Sequence, residues 1–334
     1  MKHPFLALGL AAATAMVAPE TRADDKPVLT VLAYDSFTSE WGPGPAIETA
    51  FEAVCGCDLR IIGAGDGAAL LARVQLEGPR SEASVVLGLD TNLTAAAAQS
   101  GLFAPHGITD LPHDLPVEFD DPLFRPFDWG WFAFVHDRNR LPEAPGSFEE
   151  LAASDLKVVI QDPRSSTPGL GLLMWVKAAY GDRAPEIWQA LADNILSVTP
   201  GWSESYAMFL EGEADMVLSY TTSPAYHLIA EGDDSKSAAA FAEGHYLQIE
   251  LAGKLAAAPE PELADRFLRF MASDEFQKIL PTTNWMYPAH MPDEGLPDGF
   301  DWMIRPETSL LLPADDAAAL RADALAEWQA ALSR

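Results

Sequence analysis

Short apolar runs rich in β-branched residues alternate with longer segments of helical periodicity in the first third of the chain. The apolar runs read VLTVLAY, DLRII and SVVLGLD, at 28–34, 58–62 and 84–90. Each is followed by a segment with helical character, at 44–54, 67–78 and 92–101. This alternation predicts βα units that pack into a parallel sheet.

The middle of the chain continues the pattern after an aromatic-rich run, WGWFAFVHD, at 129–137. This run predicts another strand. Three more strands, separated by helices, are predicted from KVVIQD, DMVLSY and HYLQIELA, at 157–162, 215–220 and 245–252. The Pro-containing segment 141–147 indicates a linker, so a second sheet is expected to begin near Lys157. The run 245–252 is the strand expected to return the chain to the first sheet.

The last segment begins after Pro313 with acidic residues in its first turn. Helical spacing places Leu325, Trp328 and Leu332 on one face. It predicts a terminal helix that docks on the body of the protein.

The chain of 334 residues is longer than one ordinary hydrophobic core supports, so two lobes are expected. Two α/β lobes joined by crossing strands leave a cleft between them. The carboxyl ends of strands and the starts of helices line such a cleft. The sequence therefore predicts an α/β protein with an interlobe ligand site.

Acidic residues dominate the charge, with 50 Asp and Glu against 21 Lys and Arg and a formal net charge of −29. Such a surface repels nucleic acid and anionic lipid, so no nucleic-acid partner is expected. It weakly favours a cationic partner.

The first residues have the pattern of a secretory signal peptide at 1–23. Lys2 supplies the positive start, an apolar stretch runs from Pro4 to Val17, and cleavage is expected after Ala23. No later stretch reaches the roughly 18 uninterrupted apolar residues of a spanning helix. A periplasmic location is therefore expected.

The two cysteines, Cys55 and Cys57, are separated by one residue. A bridge between them closes a very short ring, so a fold built on disulfides is excluded. No His or second Cys pair lies at zinc-ligand spacing, and no metal site is predicted. The sequence also lacks a Walker loop, a GxGxxG turn, a nucleophile elbow and an HExxH helix, so no enzyme is expected.

Aromatic residues, small hydroxyls and one acidic residue recur where strands are predicted to end. Each alone is explained by packing or helix capping, but together they fall where the cleft is expected. Trp and Tyr faces with a carboxylate suit a flat, aromatic, positively charged ligand, through stacking and cation–π attraction of roughly 0.5–2 kcal/mol each. These positions are Tyr34, Trp41, Asp66, Gly67, Trp202, Tyr220 and Trp285.

Two Ser/Thr-Pro steps begin predicted helices, at 166–168 within QDPRSSTPGLGLLMW and at 221–224 within LSYTTSPAYH. Capping explains such a step, because Ser or Thr is a favoured N-cap and Pro fits the first turn. The alternative is that the free N–H groups and hydroxyls hold an oxyanion or hydroxyl of the ligand.

These stretches closely resemble the periplasmic thiamine-binding proteins of bacterial ABC importers. The similarity covers nearly all of the mature chain, through YDSF, WGPGP, VVLGLDTNL, QDPRSSTPGLGLLMW, GWSESY, VLSYTTSPAYH, EGHYLQIE and NWMYP. It implies a type II periplasmic-binding-protein fold that closes over thiamine, thiamine monophosphate or thiamine pyrophosphate and is read by a membrane permease. A monomer without a cofactor is the arrangement it implies.

The resemblance also implies a ligand site and approximate lobe boundaries. The lobes are 24–130 plus 246–284, and 131–245 plus 285–334. As a hypothesis for their roles, Trp202, Tyr220 and Trp285 contact the pyrimidine and thiazolium rings, and Asp66 pairs with the aminopyrimidine or with the cationic ring. Ser166, Thr167 and the hydroxyls of 221–223 take the hydroxyethyl or phosphate end. The implied ligand contacts are Asp66, Gly67, Ser166, Thr167, Trp202, Tyr220, Thr221, Thr222, Ser223, Pro224 and Trp285, with Tyr34 and Trp41 as additions.

Three alternatives stay open at this point. A thiamine-degrading transferase needs a nucleophilic cysteine in the cleft, whereas Cys55 and Cys57 are expected at the end of a helix away from it. A ferric-iron binder of the same architecture would use paired tyrosines, for which Tyr220 and Tyr226 beside His227 are candidates. The third alternative is a binding protein whose cleft holds another flat cation, such as a polyamine or a choline-like amine.

Overall fold

The computed structural model describes residues 26–333, so the predicted signal peptide lies outside the described residues. Within that range, no helix has both the length and the apolar character needed to cross a bilayer. The strands are β1 Val28–Ala33, β2 Asp58–Gly63, β3 Val85–Asp90, β4 Phe103–Ala104, β5 Phe124–Asp137, β6 Val158–Gln161, β7 Ile195–Thr199, β8 Met216–Tyr220, β9 Lys236–Ala238, β10 His245–Leu255, β11 Tyr287–Pro288 and β12 Ser309–Leu310.

The helices follow the strands closely in the chain, as expected for βα units. They are α1 Asp35–Thr38, α2 Gly44–Cys55, α3 Gly67–Glu77, α4 Thr94–Gln99, α5 Phe148–Ala152, α6 Thr167–Tyr180, α7 Ala184–Leu191, α8 Trp202–Leu210, α9 Pro224–Tyr226, α10 Pro261–Phe270, α11 Asp274–Gln277, α12 Leu280–Thr283 and α13 Ala314–Leu332. A π-helical turn, His227–Glu231, continues directly from α9.

The sheet has two halves of similar design. In the first half, β2, β1 and β3 are parallel neighbours, and β10 lies antiparallel beside β3. In the second half, β7, β6 and β8 are parallel neighbours, and β5 lies antiparallel beside β8. Each half therefore combines parallel βα strands with one long antiparallel strand, and the predicted α/β class is confirmed.

The two long strands, β5 and β10, connect the halves. They pair with each other in antiparallel register along 124–131 and 247–253. The remaining part of β5, 132–136, pairs with β8. The return of the chain to the first half through β10 agrees with the sequence prediction, because β10 pairs with β3.

Some elements differ from their predicted extents. Strand β5 begins five residues earlier than the predicted 129, at Phe124. Strand β7 was not predicted, and its sequence ILSVT alternates partly buried and exposed positions at the edge of the sheet. A short edge strand with little burial carries a weak sequence signal.

Helices pack on both faces of the sheet and form its core. One cluster of buried side chains includes Leu29, Phe51 and Phe267 and lies between β1, α2 and α10. The larger cluster extends through both halves and includes Phe134 and Trp175. The molecule therefore buries side chains on both sides of its central sheet.

The terminal helix α13 docks as predicted, and Trp328 is buried. Leu325 and Leu332 pack against the same core while staying partly exposed. Cys55 and Cys57 form a disulfide at the end of α2. This bond is remote from the ends of strands where the cleft opens.

Candidate ligand-binding cleft

A cavity of about 530 Å³ opens between the two halves of the sheet. It is lined by residues that follow β1 and end β8, by one residue of β10, and by the N-cap of α3 and the first turn of α6. Residues along α8 and α9 and from α12 to Met286 complete the lining. Pockets of roughly 300–1,000 Å³ are the usual size for small organic ligands. The cavity lies where the sequence predicts the cleft.

Eight of the thirteen sequence-predicted site residues line this cavity. Their side chains come from both halves of the molecule, so the topology brings together positions more than 200 residues apart. The eight are Tyr34, Trp41, Asp66, Thr167, Trp202, Tyr220, Ser223 and Trp285.

The cavity wall is predominantly aromatic. Trp202 stacks on Tyr206 with ring centroids 4.7 Å apart, and Trp41 approaches Trp202 from the other half at 6.2 Å. On another part of the wall, Tyr226 and Trp285 meet edge-to-face at 5.4 Å. These rings offer several π faces to a flat ligand.

Hydrogen bonds fix the orientation of the Trp202 indole. Its Nε1 donates to Ser219 Oγ at 2.8 Å, and Ser219 Oγ lies 2.6 Å from Ser223 Oγ. The Ser223 hydroxyl in turn accepts from the backbone N–H of Tyr220. The indole plane is therefore set before any ligand enters.

Trp285 has a strained backbone. It is the one non-glycine position between 26 and 333 with a positive φ, at 57°. A conformation of this kind costs of order 1–3 kcal/mol and is found mainly at functional sites. The Trp285 N–H donates to Leu280 O at 3.0 Å, which anchors the turn after α12. The strain therefore occurs at a residue of the cavity wall.

The other five predicted residues lie just behind the wall. Gly67 and Pro224 begin helices α3 and α9 and are buried. Ser166, Thr221 and Thr222 are fully buried, and Thr222 Oγ1 contacts Met286 Sδ. Their side chains do not line the cavity, although their backbones support residues that do.

Asp66 connects the two halves across the cleft. Its Oδ1 accepts from Gly67 N at 2.8 Å, and its Oδ2 accepts from Ser166 Oγ at 2.6 Å. A backbone bond from Ala69 N to Ser165 O at 3.1 Å crosses the same gap. The cleft is therefore closed in this structure, with α3 of one half against the start of α6 of the other.

Buried carboxyl groups form the floor of the cavity. Glu250 Oε2 accepts from Tyr34 Oη at 2.7 Å, and Asn284 Nδ2 donates both to Tyr34 Oη at 2.8 Å and to Asp128 Oδ2 at 2.6 Å. The ring of Tyr34 packs directly against the backbone of Gly88. A Cβ at position 88 would lie 2.2 Å from Tyr34 Cδ1, so this packing requires glycine there.

Burial perturbs the ionisation of these groups. It raises the pKa of Asp128 to about 7 and, together with the negative charge of Asp128, raises the pKa of Glu250 well above its usual range. Burial also raises the pKa of Asp66, against the opposing effect of its hydrogen bond from Ser166. Carboxyl groups with raised pKa values in a cleft are typical of functional sites.

These raised pKa values predict that the empty protein is more stable in mild acid than at alkaline pH. A carboxyl whose folded pKa exceeds its unfolded value near 4 adds stability at low pH, which is lost as pH rises through the folded pKa. We expect the unfolding midpoint to be higher at pH 5.5 than at pH 8, by about 2–4 °C or more. Calorimetry of ligand-free protein checks this.

Asp128→Asn should reduce the pH dependence of the unfolding midpoint. The control substitution Asp155→Asn, at an exposed position, should leave that dependence unchanged. This pair of variants separates the buried carboxyls from the general relief of repulsion in a protein of net charge −29. Equal pH dependence in the two variants would contradict the assignment.

Several lining residues were not predicted as site residues. Tyr206 and Tyr226 lie inside helical segments, where aromatic residues usually pack in the core. Asn284 and Met286 flank Trp285 in the quoted NWMYP motif, which is a local signal for them. Glu250 interrupts the apolar strand β10, and a polar residue in a buried strand is the signal that could have found it.

The tyrosines beside the cavity are poorly suited to iron. Burial and nearby carboxylates raise the pKa of Tyr220 far above its usual value, which disfavours tyrosinate. His227, Glu231 and Asp233 lie close together, but both His227 ring nitrogens are already hydrogen-bonded, to Tyr206 Oη and to Glu231. The described residues therefore offer iron little free ligand chemistry here.

The chain matches the family model described as bacterial extracellular solute-binding protein over residues 45–283. The thiamine-binding periplasmic protein of Salmonella typhimurium is 52% identical over 311 residues, which are 92% of this chain and 94% of that protein. The thiamine-binding periplasmic protein of Escherichia coli is 51% identical over the same shares of the two chains.

A solved structure described as a periplasmic thiamin binding protein has the same fold. Its TM-score is 0.90 at 48% identity, and the match covers 98% of this chain and 100% of that one. The predicted type II periplasmic-binding-protein fold and the family resemblance are both confirmed. The chain therefore belongs to the bacterial extracellular solute-binding proteins and, within them, to the family of thiamine-binding periplasmic proteins.

Proposed function

We propose that this protein binds thiamine in the cavity between its halves and delivers it to the permease of an ABC importer. It is a periplasmic binding protein rather than an enzyme, like the relatives it matches. The observation that carries the proposal is the character of the cavity. Its described lining residues include seven Trp and Tyr side chains, Asp66 and Glu250, and none is Lys, Arg or His.

Thiamine matches this lining chemically. Its thiazolium ring is flat and carries a fixed positive charge, and its aminopyrimidine is flat and donates hydrogen bonds. We place the two rings against Trp202, Tyr220 and Trp285, with Tyr226 opposite Trp285. Asp66 and Glu250 supply the negative charge, which attracts the thiazolium more strongly in a desolvated cleft than in water.

The hydroxyethyl end is proposed to lie near the first turns of α6 and α8. The N-cap of α8 is Gly201, which has no side chain to bond the first turn, and Ser203 of that turn lines the cavity. At α6, Thr167 lines the cavity but is bonded to Asp66 and is followed by Pro168, so the free N–H groups are those of α8. Free N–H groups at a helix N-terminus hold hydroxyl or phosphate oxygens. This arrangement supports binding of thiamine monophosphate and thiamine pyrophosphate as well.

We also propose that the halves move as two lobes, 24–130 plus 246–284 and 131–245 plus 285–334. Two of the three proposed crossings, near 130 and near 245, fall in the long strands β5 and β10 that the halves share, and the third, near 284, lies directly after α12. Bending there would open the contact between Asp66 and Ser166. Ligand then selects the closed state, in which the permease reads both lobes.

Titration calorimetry on protein that has been unfolded, stripped of ligand and refolded tests the function. We expect one site per monomer for thiamine, its monophosphate and its pyrophosphate, and no saturable heat with ferric citrate or spermidine. Failure of thiamine and both esters to bind at millimolar concentration would reject the proposal. An absorbance band of iron-tyrosinate on adding ferric citrate would support the iron alternative instead.

The transferase alternative is not favoured by the geometry. Cys55 and Cys57 are bonded to each other and are not among the residues that line the cavity. A nucleophile has to reach the bound ligand, so neither sulfur is placed for that chemistry.

A further inference from the structure

Two carboxyl groups oppose each other beneath the cavity, on the two long strands that connect the halves. Asp128 of β5 and Glu250 of β10 are direct partners in the antiparallel register. Both are buried, at 0% and 6% exposure, and Glu250 also lines the cavity. Like charges placed directly opposite each other destabilise a sheet. The pair therefore requires a proton or a neighbouring cation.

The hydrogen bonds around the pair show that it is held in place by neutral donors. Glu250 accepts from Tyr34 Oη at 2.7 Å and from Gln248 Nε2 at 2.6 Å, and Asp128 accepts from Asn284 Nδ2 at 2.6 Å. Asp128 Oδ1 is buried without a hydrogen-bond partner. If both carboxyls were ionised, two like charges would face each other with one oxygen unsatisfied, so a single proton on the pair is the favoured state of the empty cleft.

No positive side chain neutralises the pair from the surrounding elements. The titratable groups that act on Glu250 are Tyr34 after β1, Asp66 before α3 and Asp128 on β5. Tyr220 of β8 is affected in turn by Glu250, Asp66 and Asp128. Asp90, opposite Glu250 on β3, instead accepts from Asn92 and interacts with Arg321. A cation in the cavity therefore meets uncompensated negative charge.

We propose that Asp128 and Glu250 hold one proton while the cleft is empty and release it to solvent when a cationic ligand binds. The inference rests on the proposed function, in which that cation is the thiazolium of thiamine. The ligand's fixed charge replaces the proton as the counter-charge of the pair. Glu250 is then a specificity-determining residue, and Asp128 is a positioning residue that acts through it.

Binding should therefore strengthen as pH rises. As pH rises, the empty pair loses its proton, and binding no longer has to displace it. We expect the dissociation constant for thiamine to fall about three- to tenfold between pH 6.5 and pH 8.5, which lies within the roughly hundredfold change that release of one proton over two pH units allows. At pH 7, binding should release about 0.3–1 proton per ligand by the same linkage.

Titration calorimetry with thiamine in phosphate and in Tris, whose ionisation enthalpies differ, counts this proton directly. The variants are Asp128→Asn at the buried pair and, as a control, Asp155→Asn at an exposed position that does not line the cavity. We expect Asp128→Asn to lower the released proton count by at least half and Asp155→Asn to leave it unchanged. Any titration of thiamine itself is common to all three proteins.

The possible outcomes distinguish failure of the proton linkage from failure of the proposed thiamine-binding function. Tight binding with no buffer dependence in the natural protein overturns the proton linkage and leaves the proposed function intact. An equal proton count in the natural protein and in both variants overturns the assignment to this pair. Absence of thiamine binding at every pH rejects the proposed function and, with it, the linkage. Because the buffer comparison uses the natural protein, its result does not depend on whether a variant folds.

Discussion

Trp285→Ala is expected to weaken thiamine binding about 30- to 1,000-fold, which corresponds to a loss of about 2–4 kcal/mol. Stacking and cation–π attraction each contribute about 0.5–2 kcal/mol, and covering an aromatic face removes further apolar area from water. Trp285 supplies this face from a backbone position of positive φ that keeps its ring beside Tyr226. Calorimetry or the quenching of tryptophan fluorescence measures the change.

A matched control is available in Trp302, whose side chain is 81% exposed and does not line the cavity. Trp302→Ala should leave thiamine affinity unchanged. Trp285→Phe should fall between the natural protein and Trp285→Ala because it keeps a smaller ring. If Trp285→Ala lowered thiamine affinity less than threefold while keeping its unfolding midpoint, the proposal that the Trp285 ring contacts the ligand would be contradicted.

The fold was predictable from the sequence because its strands are buried and its helices are amphipathic. The runs at 28–34, 58–62 and 84–90 each agree with a strand to within one residue at either end. Burial on both faces gives β1 and β3 nearly continuous apolar sequences. Strands β2 and β7 lie at the two edges of the sheet with one buried residue each, Leu59 and Thr199, and of these two only β2 was predicted.

The cavity was predictable in part, and the reason differs between its walls and its floor. Loop residues such as Trp41 and Trp285 stand out because large aromatic side chains are uncommon in polar turns, whereas Asp66 taken alone has the pattern of an ordinary helix N-cap. Asp128 and Glu250 lie within strands, and their sequence signal is a single polar residue among apolar ones. Only the register of β5 against β10 shows that they face each other.

The hydroxyl residues after β8 differ in where their side chains lie. The resemblance implies contacts at Thr221 and Thr222, whose side chains are fully buried behind the wall, so these two contacts stay a prediction. Their motif marks the turn after β8 correctly, because it places Tyr220 and Ser223 on the cavity. A motif locates a segment, but the direction of each side chain depends on the turn that the segment forms.

Gly67→Ala should oppose closure of the cleft without harming the fold. A Cβ at Gly67 would lie 2.0 Å from Thr167 Oγ1 and 3.3 Å from Thr167 Cβ, which belong to the other half of the molecule. Gly67 begins α3, where alanine is favoured over glycine. We therefore expect an unfolding midpoint for the empty protein within about 2 °C of the natural one, since the severe contact at 2.0 Å is made only when the halves meet and the contact within the same half, to Gly88 O, is the milder one at 3.3 Å.

Thiamine affinity should fall about five- to 150-fold in Gly67→Ala, because overpacking a close contact costs about 1–3 kcal/mol. The radius of gyration with saturating thiamine, from small-angle scattering, should stay closer to the ligand-free value than in the natural protein. The double variant Gly67→Ala, Thr167→Ala removes the nearer clashing atom, so it should bind more tightly than Gly67→Ala alone. Unchanged affinity and unchanged compaction in Gly67→Ala would mean that the start of α3 does not need to approach α6 for the ligand to be held.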